Sequence, residues 1–376
     1  MNNPFTKILS NVNVFGGDGG GNAVGIDIGS SAIKVVELKK KGGKAILETY
    51  GAISLGPYAG LDVGRVTNLP VDKIAEALKE VLKQSGVTST SAALAIPVQS
   101  SLIFTIELPP QITESEMPSV IPVEARKYIP VPISEVSLDY FLLPEKASSF
   151  EEMHNPETSL PAKAEKKRVL VVATQNDAVS RYRSIVSQCN LSSSFFEIEI
   201  FSSVRSNFEH ELSLVLLIDF GASRTKLSLV EFGTVKSYHT IDRGGADISD
   251  SISKSLDIHF SEAEKMKKEF GLFGNPAEKS LTEIIKTHID YIFSEVNNAV
   301  LGYERKYNKT VSKVILSGGG GLLKGLKEAA ADNFRAEIEH GHPFSKTDAP
   351  PFLDKVLLAM GPEFAVSIGL ALRKLQ

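Results

Sequence analysis

The chain carries one short pattern twice. Val24–Leu38 reads VGIDIGSSAIKVVEL: an apolar strand, a tight Asp-Ile-Gly-Ser-Ser turn and a second, alternating strand. Leu216–Val230 reads LLIDFGASRTKLSLV, so that Ile26, Asp27, Gly29, Ser31 and Lys34 align with Ile218, Asp219, Gly221, Ser223 and Lys226. Two strands around a glycine turn restrict each copy to a hairpin. The repetition implies two equivalent halves. A length of 376 residues agrees, since one core rarely organises so long a chain.

Each copy has the makings of half a phosphate clamp. Glycine has no Cβ to block the approach, so backbone N–H groups and a Ser hydroxyl can reach phosphate oxygens. An Asp at the end of each strand would repel a bare phosphate. It fits better as a ligand, through water, of a Mg²⁺ ion that phosphate also binds. A lone Asp-x-Gly turn ends many ordinary hairpins, but two such turns followed by Ser317-Gly318-Gly319-Gly320-Gly321 are harder to explain as turn chemistry alone.

At these residues the sequence resembles the actin-like ATPase superfamily. The resemblance implies an α/β fold of duplicated actin-like (ribonuclease H-like) halves around a nucleotide cleft, with ATP and Mg²⁺ as cofactors. It places a first phosphate loop at Asp27, Gly29, Ser30, Ser31 and Lys34, and a second at Asp219, Gly221, Ala222, Ser223 and Thr225. An adenosine loop falls at Gly318, Gly319, Gly320, Gly321 and Leu322, the last opening the next helix. Asp27 and Asp219 are the expected Mg²⁺ residues. The Gly244-Gly245 turn opens a further helix and adds Gly245 to the expected site, while Glu264 and Lys267, three apart on SEAEKMKKEFG, match a pair that contacts ribose and adenine in relatives. An ordinary solvated ion pair is the alternative for those two.

The remaining sequence divides around the repeats. A glycine-rich leader spans residues 1–22; its stripe of Phe5, Ile8, Leu9, Val12 and Phe15 reads as a frayed terminus, with a docking peptide as the alternative. Residues 23–97 and 189–212 form the first half, 98–188 an inserted small subdomain, and 213–376 the second half. Strands are expected at Ala45–Leu55, Ser91–Ile96, Leu102–Leu108, Val136–Leu143, Arg168–Thr174 and Leu191–Ile200. Helices are expected at Val71–Gln84, from Ile121 to Ile129 with Pro122 in the first turn, and at Asn176–Gln188. Pro144–Lys167 reads as an exposed, poorly ordered loop. In the second half, Thr234–Ile241 and Val311–Leu316 read as strands, and Ser261–Phe270, Leu281–Arg305 and Gly361–Arg373 as helices, the last with small residues that permit close packing.

A net charge of −4 gives no global bias towards nucleic acid, and the single cysteine, Cys189, excludes an internal disulfide. No apolar run approaches the ~20 residues a membrane span needs on this reading, so no direct span and a cytoplasmic location are expected. Glu337, Glu339, His340 and His342 read as a solvated loop rather than a metal site.

Within the superfamily the sequence is similar to the PilM family of type IV pilus assembly proteins, relatives of the division protein FtsA. The carrying stretches are EARKYIP at Glu124–Pro130, Leu138-Asp139-Tyr140, Val171-Val172-Ala173-Thr174, SGGGGLLKGL and GPEFAVSIGLALR. This resemblance implies an ATP-binding component of a pilus-assembly platform at the inner face of the cytoplasmic membrane. Its expected partner is the cytoplasmic N-terminal tail of a PilN-like single-span inner-membrane protein, held in a groove between the first half and the small subdomain; other platform and motor proteins are further expected contacts. No residue is marked by spacing to position a hydrolytic water, so slow or absent ATP turnover is expected. The alternatives are an FtsA-like filament-forming protein, disfavoured by the chain's ending directly after the closing helix, and a small-molecule kinase, for which no carboxylate base is evident.

Overall fold

In the computed structural model the described residues are 21–143, 166–209, 211, 213–274 and 279–376. The leader stripe and nearly all of the Pro144–Lys167 loop lie outside them. The described residues form two compact units, one spanning Ile96–Arg183 and one combining residues 21–95 with Ser184–Gln376.

The larger unit begins with β1 (Asn22–Ile28), β2 (Ala32–Lys41) and β3 (Lys44–Ser54), an antiparallel meander in which Asp27 stands directly opposite Lys34. Helix α1 (Val71–Gln84) buries Ile74, Ala75, Leu78 and Val81, the i, i+3, i+4 stripe its sequence carries. β4 (Ser91–Ile96) then runs parallel to β1.

The smaller unit intervenes here. β5 (Ser101–Leu108), α2 (Met117–Ala125), β6 (Val136–Leu142) and β7 (Lys167–Gln175) form an antiparallel sheet of order β5-β7-β6 with α2 packed against it. Ile106, Leu108, Met117, Ile121, Ala125, Val169 and Val171 make its core. α2 begins four residues earlier than expected and ends at Ala125. Pro118 takes the first turn, where its missing N–H costs nothing, and Pro122 lies inside the helix.

Helix α3 (Asn176–Gln188) returns the chain to the larger unit, where β8 (Ser192–Ile198) completes a sheet of order β3-β2-β1-β4-β8. The strand stops at Ile198, and α4 (Glu199–Asn207) follows, a helix the sequence reading did not anticipate.

The second half repeats the plan. β9 (Val215–Phe220), β10 (Thr225–Glu231) and β11 (Thr234–Ile241) form the meander, with Asp219 opposite Lys226. Then come α5 (Gly245–Leu256), α6 (Phe260–Phe270), α7 (Lys279–Tyr307), β12 (Lys313–Ser317), α8 (Leu326–Asn333) and β13 (Glu337–His340). The sheet order, β11-β10-β9-β12-β13, matches the first. Each meander also carries one register shift between its second and third strands, at Glu37/Leu38 and at Leu229/Val230. The Glu- and His-rich stretch expected as a loop is the edge strand β13, parallel to β12; four residues with polar alternation give no apolar run by which to recognise a strand.

Two helices close the chain, α9 (Asp354–Met360) and α10 (Ala365–Leu375). Pro351–Leu375 is long and apolar enough to cross a membrane, contrary to the reading of apolar runs. In the fold this stretch is broken by a 3₁₀ turn at Gly361–Phe364, and α10 is buried against β1 and α4. A Cβ on Gly25 would sit 1.9 Å from the Ser367 carbonyl oxygen, and one on Gly369 would sit 1.9 Å from that of Ser202. α10 therefore belongs by sequence to the second half but seals the first sheet. Phe364 and Ile368 pack with Val36 and Leu38, and Leu370 with Ala93 and Ala95. Such clearance leaves no room for a side chain.

Gly25→Ala and Gly369→Ala should each destabilise the fold by about 1–3 kcal/mol or more in urea denaturation, since backbone must move. Gly302→Ala, in an open position of α7, should be neutral or stabilise by up to about 1 kcal/mol. Equal midpoints for all three variants would contradict this packing.

Candidate nucleotide site

The two phosphate-loop turns are built alike. Gly29 N–H donates to the Ala32 carbonyl at 3.0 Å, and Gly221 N–H to the Arg224 carbonyl at 2.9 Å. Each turn joins an Asp to a Lys placed across the strand pair. The first turn is held from outside by Leu55 N–H on the Ser31 carbonyl, 2.8 Å, and Thr67 N–H on the Ser30 carbonyl, 2.9 Å. In the second, Thr225 is fully buried and its hydroxyl donates to the Arg243 carbonyl at 2.9 Å, so this expected ligand supports the turn instead. Gly245 N–H and Ala246 N–H donate to the Gly221 and Ala222 carbonyls, both at 2.9 Å. The first N–H groups of α5 thus brace the second turn, while Ser223 stays partly exposed. A Cβ on Gly244 would meet the Ala222 carbonyl oxygen at 2.4 Å, which explains glycine at that position.

The glycine run after β12 folds over the end of β9. Gly318 takes φ +75°, and a Cβ there would lie 2.3 Å from Asp219 Oδ1. Its N–H donates to the Pro362 carbonyl, 2.9 Å. A Cβ on Gly320 would press on Phe220 Cβ at 2.8 Å, whereas Gly319 is exposed with only ordinary contact to Glu363. Gly319–Leu322 is a 3₁₀ turn, so α8 starts at Leu326 and not at Leu322. The run needs glycine at Gly318 and Gly320 for close approach and leaves Gly319 open.

Glu264 and Lys267 are mutually engaged. Lys267 Nζ donates to Glu264 Oε2 at 2.6 Å and to the Gly245 carbonyl at 2.7 Å, and Ser249 Oγ donates to Glu264 Oε2 at 2.5 Å. Burial opposes ionisation of Glu264, but Lys267 and Ser249 outweigh it and hold the carboxyl below its ordinary range. The pair pins α6 to the start of α5. Gly64, in the segment after β3, lies against the Glu264 side chain. Its neighbour Arg65 donates to Asp250 at 2.9 Å and sits 3.9 Å over the Phe260 ring. This clasp between the two halves had no sequence signal.

The charged centre lies where the halves meet. Asp27, Lys34, Asp219 and Lys226 come together, and Glu199 at the first position of α4 joins them. Lys226 Nζ donates to Glu199 Oε2 at 2.6 Å and to Asp219 Oδ2 at 3.1 Å, one carboxylate from each half. Burial opposes the ammonium's charge, yet Asp219 and Glu199 hold Lys226 well above the usual lysine range. Burial also pushes the Asp27 carboxyl up to about 6 against the pull of Lys34, and Glu199 and Asp219 add to the rise. Glu199 was hidden because the apolar alternation FEIEI continues the strand pattern through it. An acid followed by Ile200 and Val204 at helical spacing was the available signal.

The residues do not fit a Mg²⁺ ion held by the two aspartates. Lys226 already lies between Asp219 and Glu199, and among the described residues no three His, Cys, Asp or Glu side chains converge to hold a metal. A dication about 4 Å from that ammonium would meet a repulsion of about 8 kcal/mol at an effective dielectric of about 20.

Two topologically identical sheets, a turn from each and a glycine turn over the second define a duplicated actin-like fold. The chain also matches the model of the type IV pilus assembly protein PilM family over residues 25–375, and it belongs to that family. It resembles a solved PilM–PilN type IV pilus biogenesis complex with a TM-score of 0.77 and 25% identity, covering 94% of this chain and 98% of that one. The ethanolamine utilization protein EutJ of Carboxydothermus hydrogenoformans shares the fold with a TM-score of 0.53 and 15% identity, over 97% of this chain and 92% of that one. The cell division protein FtsA of Staphylococcus epidermidis is 24% identical over 343 residues, 82% of this chain and 72% of the relative.

The raised carboxyl sets a pH test. With a folded value of about 6 against an ordinary 3.8, Asp27 costs nothing below about pH 4; its ionisation then opposes folding increasingly up to about pH 6, and fully above. Asp27→Asn should therefore stabilise the nucleotide-free protein near pH 7.5, by at most about 3 kcal/mol, and give no gain near pH 4. A gain of the same size at both pH values in urea denaturation would contradict the buried-carboxyl reading.

Proposed function

We propose that this chain is an ATP-binding, actin-like component of a type IV pilus assembly platform that captures the cytoplasmic tail of a PilN-like membrane protein. The observation that carries the nucleotide half is the pairing of Lys34 and Lys226 on twin glycine turns that meet at one charged centre. Two ammonium groups and the N–H groups of short turns suit an anionic triphosphate, and the open Gly319 turn suits the nucleoside end. Glu199 beside Asp219 is the carboxylate placed to orient a water. Its engagement by Lys226 supports slow or absent hydrolysis.

The partner half rests on family membership and on the smaller unit. β5 and β6 are the edge strands of its sheet, and Val123, Tyr128 and Val131 are exposed apolar residues, Tyr128 stacking on Phe104 at 4.9 Å. Edges and exposed apolar residues suit capture of an extended peptide. The likeness to a PilM–PilN complex points to a PilN-like protein as its source. A location at the inner face of the cytoplasmic membrane, through that partner, follows from this reading.

A fluorescent ATP analogue should bind the intact chain, and Lys34→Ala should weaken it by about ten-fold or more, while Lys73→Ala on the exposed face of α1 should not. A synthetic PilN-type N-terminal peptide should bind in calorimetry with about micromolar affinity, and Tyr128→Ala should weaken it several-fold, as loss of an aromatic anchor does. No nucleotide signal would remove the first half of the proposal; no peptide heat would remove the second.

A further inference from the structure

The duplication supplies an internal comparison. In each half an Asp on the first strand faces a Lys on the second, Asp27 with Lys34 and Asp219 with Lys226. Among the described residues, only in the second half does an ion-pair contact of that lysine extend to the other half, where Lys226 reaches Glu199 at 2.6 Å while keeping Asp219 at 3.1 Å. Lys226 and both carboxylates are largely shielded from solvent, with side-chain exposures of 16%, 10% and 17%. Asp27 contributes a third acidic group to the same electrostatic neighbourhood.

Carboxylates brought this close from two halves repel one another unless a cation lies between them. A divalent ion is one solution; here an ammonium on a β-strand stands in that place. The geometry points to Lys226 as the resident cation of this cleft: its Nζ fills the position between Asp219 and Glu199, so the cleft takes an anionic nucleotide without needing Mg²⁺. This rests on the nucleotide reading above and deepens it. A lysine differs from a metal in consequence as well as in charge. It is tethered, cannot leave with the product, and carries one charge where Mg²⁺ carries two, so it can hold phosphate oxygens but polarises them less. Nucleotide then serves as a ligand that closes the two halves and is not rapidly consumed.

Two titrations on the full chain test this. The nucleotide-free protein is titrated with Mn²⁺ and followed by electron paramagnetic resonance, and a fluorescent ATP analogue is titrated in EDTA and in Mg²⁺. The parent and Lys226→Arg should show no stoichiometric Mn²⁺ site and should bind the analogue within about three-fold in the two buffers. Lys226→Gln should gain a Mn²⁺ site and should lose about ten-fold or more in analogue affinity in EDTA, recovering it with Mg²⁺. If Lys226→Gln does not fold, the parent's own titrations decide. One Mn²⁺ per parent chain, lost in Asp219→Asn, would overturn the assignment, as would analogue binding that collapses in EDTA. Binding of nucleotide only with Mg²⁺ removes this inference and leaves the nucleotide reading standing; no binding in either buffer removes both.

Discussion

Lys226 is what allows the two halves to meet. Each sheet ends in an acidic residue at its first strand, and the helix that leaves the first sheet begins with another, so closing the halves concentrates negative charge in a desolvated place. The ammonium of Lys226 contacts one carboxylate from each half, which turns a repulsion into a bond across the cleft. The cross-strand register makes this possible. Because Asp219 and Lys226 are directly opposed, a slip of one residue would send Lys226 to the other face of the sheet.

The rest of the larger unit keeps those groups in register through contacts with almost no tolerance. Glu197, fully buried at the end of β8, accepts from Arg205 on α4 and from Arg373 on α10, all at 2.7 Å, and from Ser202. Burial works against its charge, but the two arginines hold it ionised, below the usual carboxylate range. Lys346 caps the far end of α4 by donating to the Arg205 and Phe208 carbonyls. The helix that begins with Glu199 is thus fixed along its length, and α10 is locked against it through Gly369. Removing Glu197 would take from two largely buried arginines the carboxylate they share.

Much of this organisation was legible in the sequence because it is periodic or repeated. The twin Asp-x-Gly turns announced two equal halves, the stripe on α1 named its buried face, and the apolar runs of β1 and β4 marked strands that are buried almost throughout. What stayed hidden depends on tertiary partners. α4 is short and serine-rich, and it is helical because it packs under α10; β13 is a strand because β12 lies beside it. The start of α2 was misplaced because a proline inside a helix usually marks its beginning, and here Pro118 already fills that role. Asp27, Lys34, Asp219 and Lys226 could be found by spacing, but the involvement of Glu199 and the bracing roles of Thr225 and Gly245 could not.

A crystal structure of the full chain grown with a slowly hydrolysed ATP analogue and Mn²⁺, with anomalous data at the manganese edge, tests the central claim most directly. Phosphate density between Gly29–Ser31 and Gly221–Ser223, with Lys34 and Lys226 in contact and no anomalous peak between Asp219 and Glu199, is the result this account predicts. A manganese peak bridging those carboxylates with Lys226 displaced, or phosphates lying away from both turns, would contradict it.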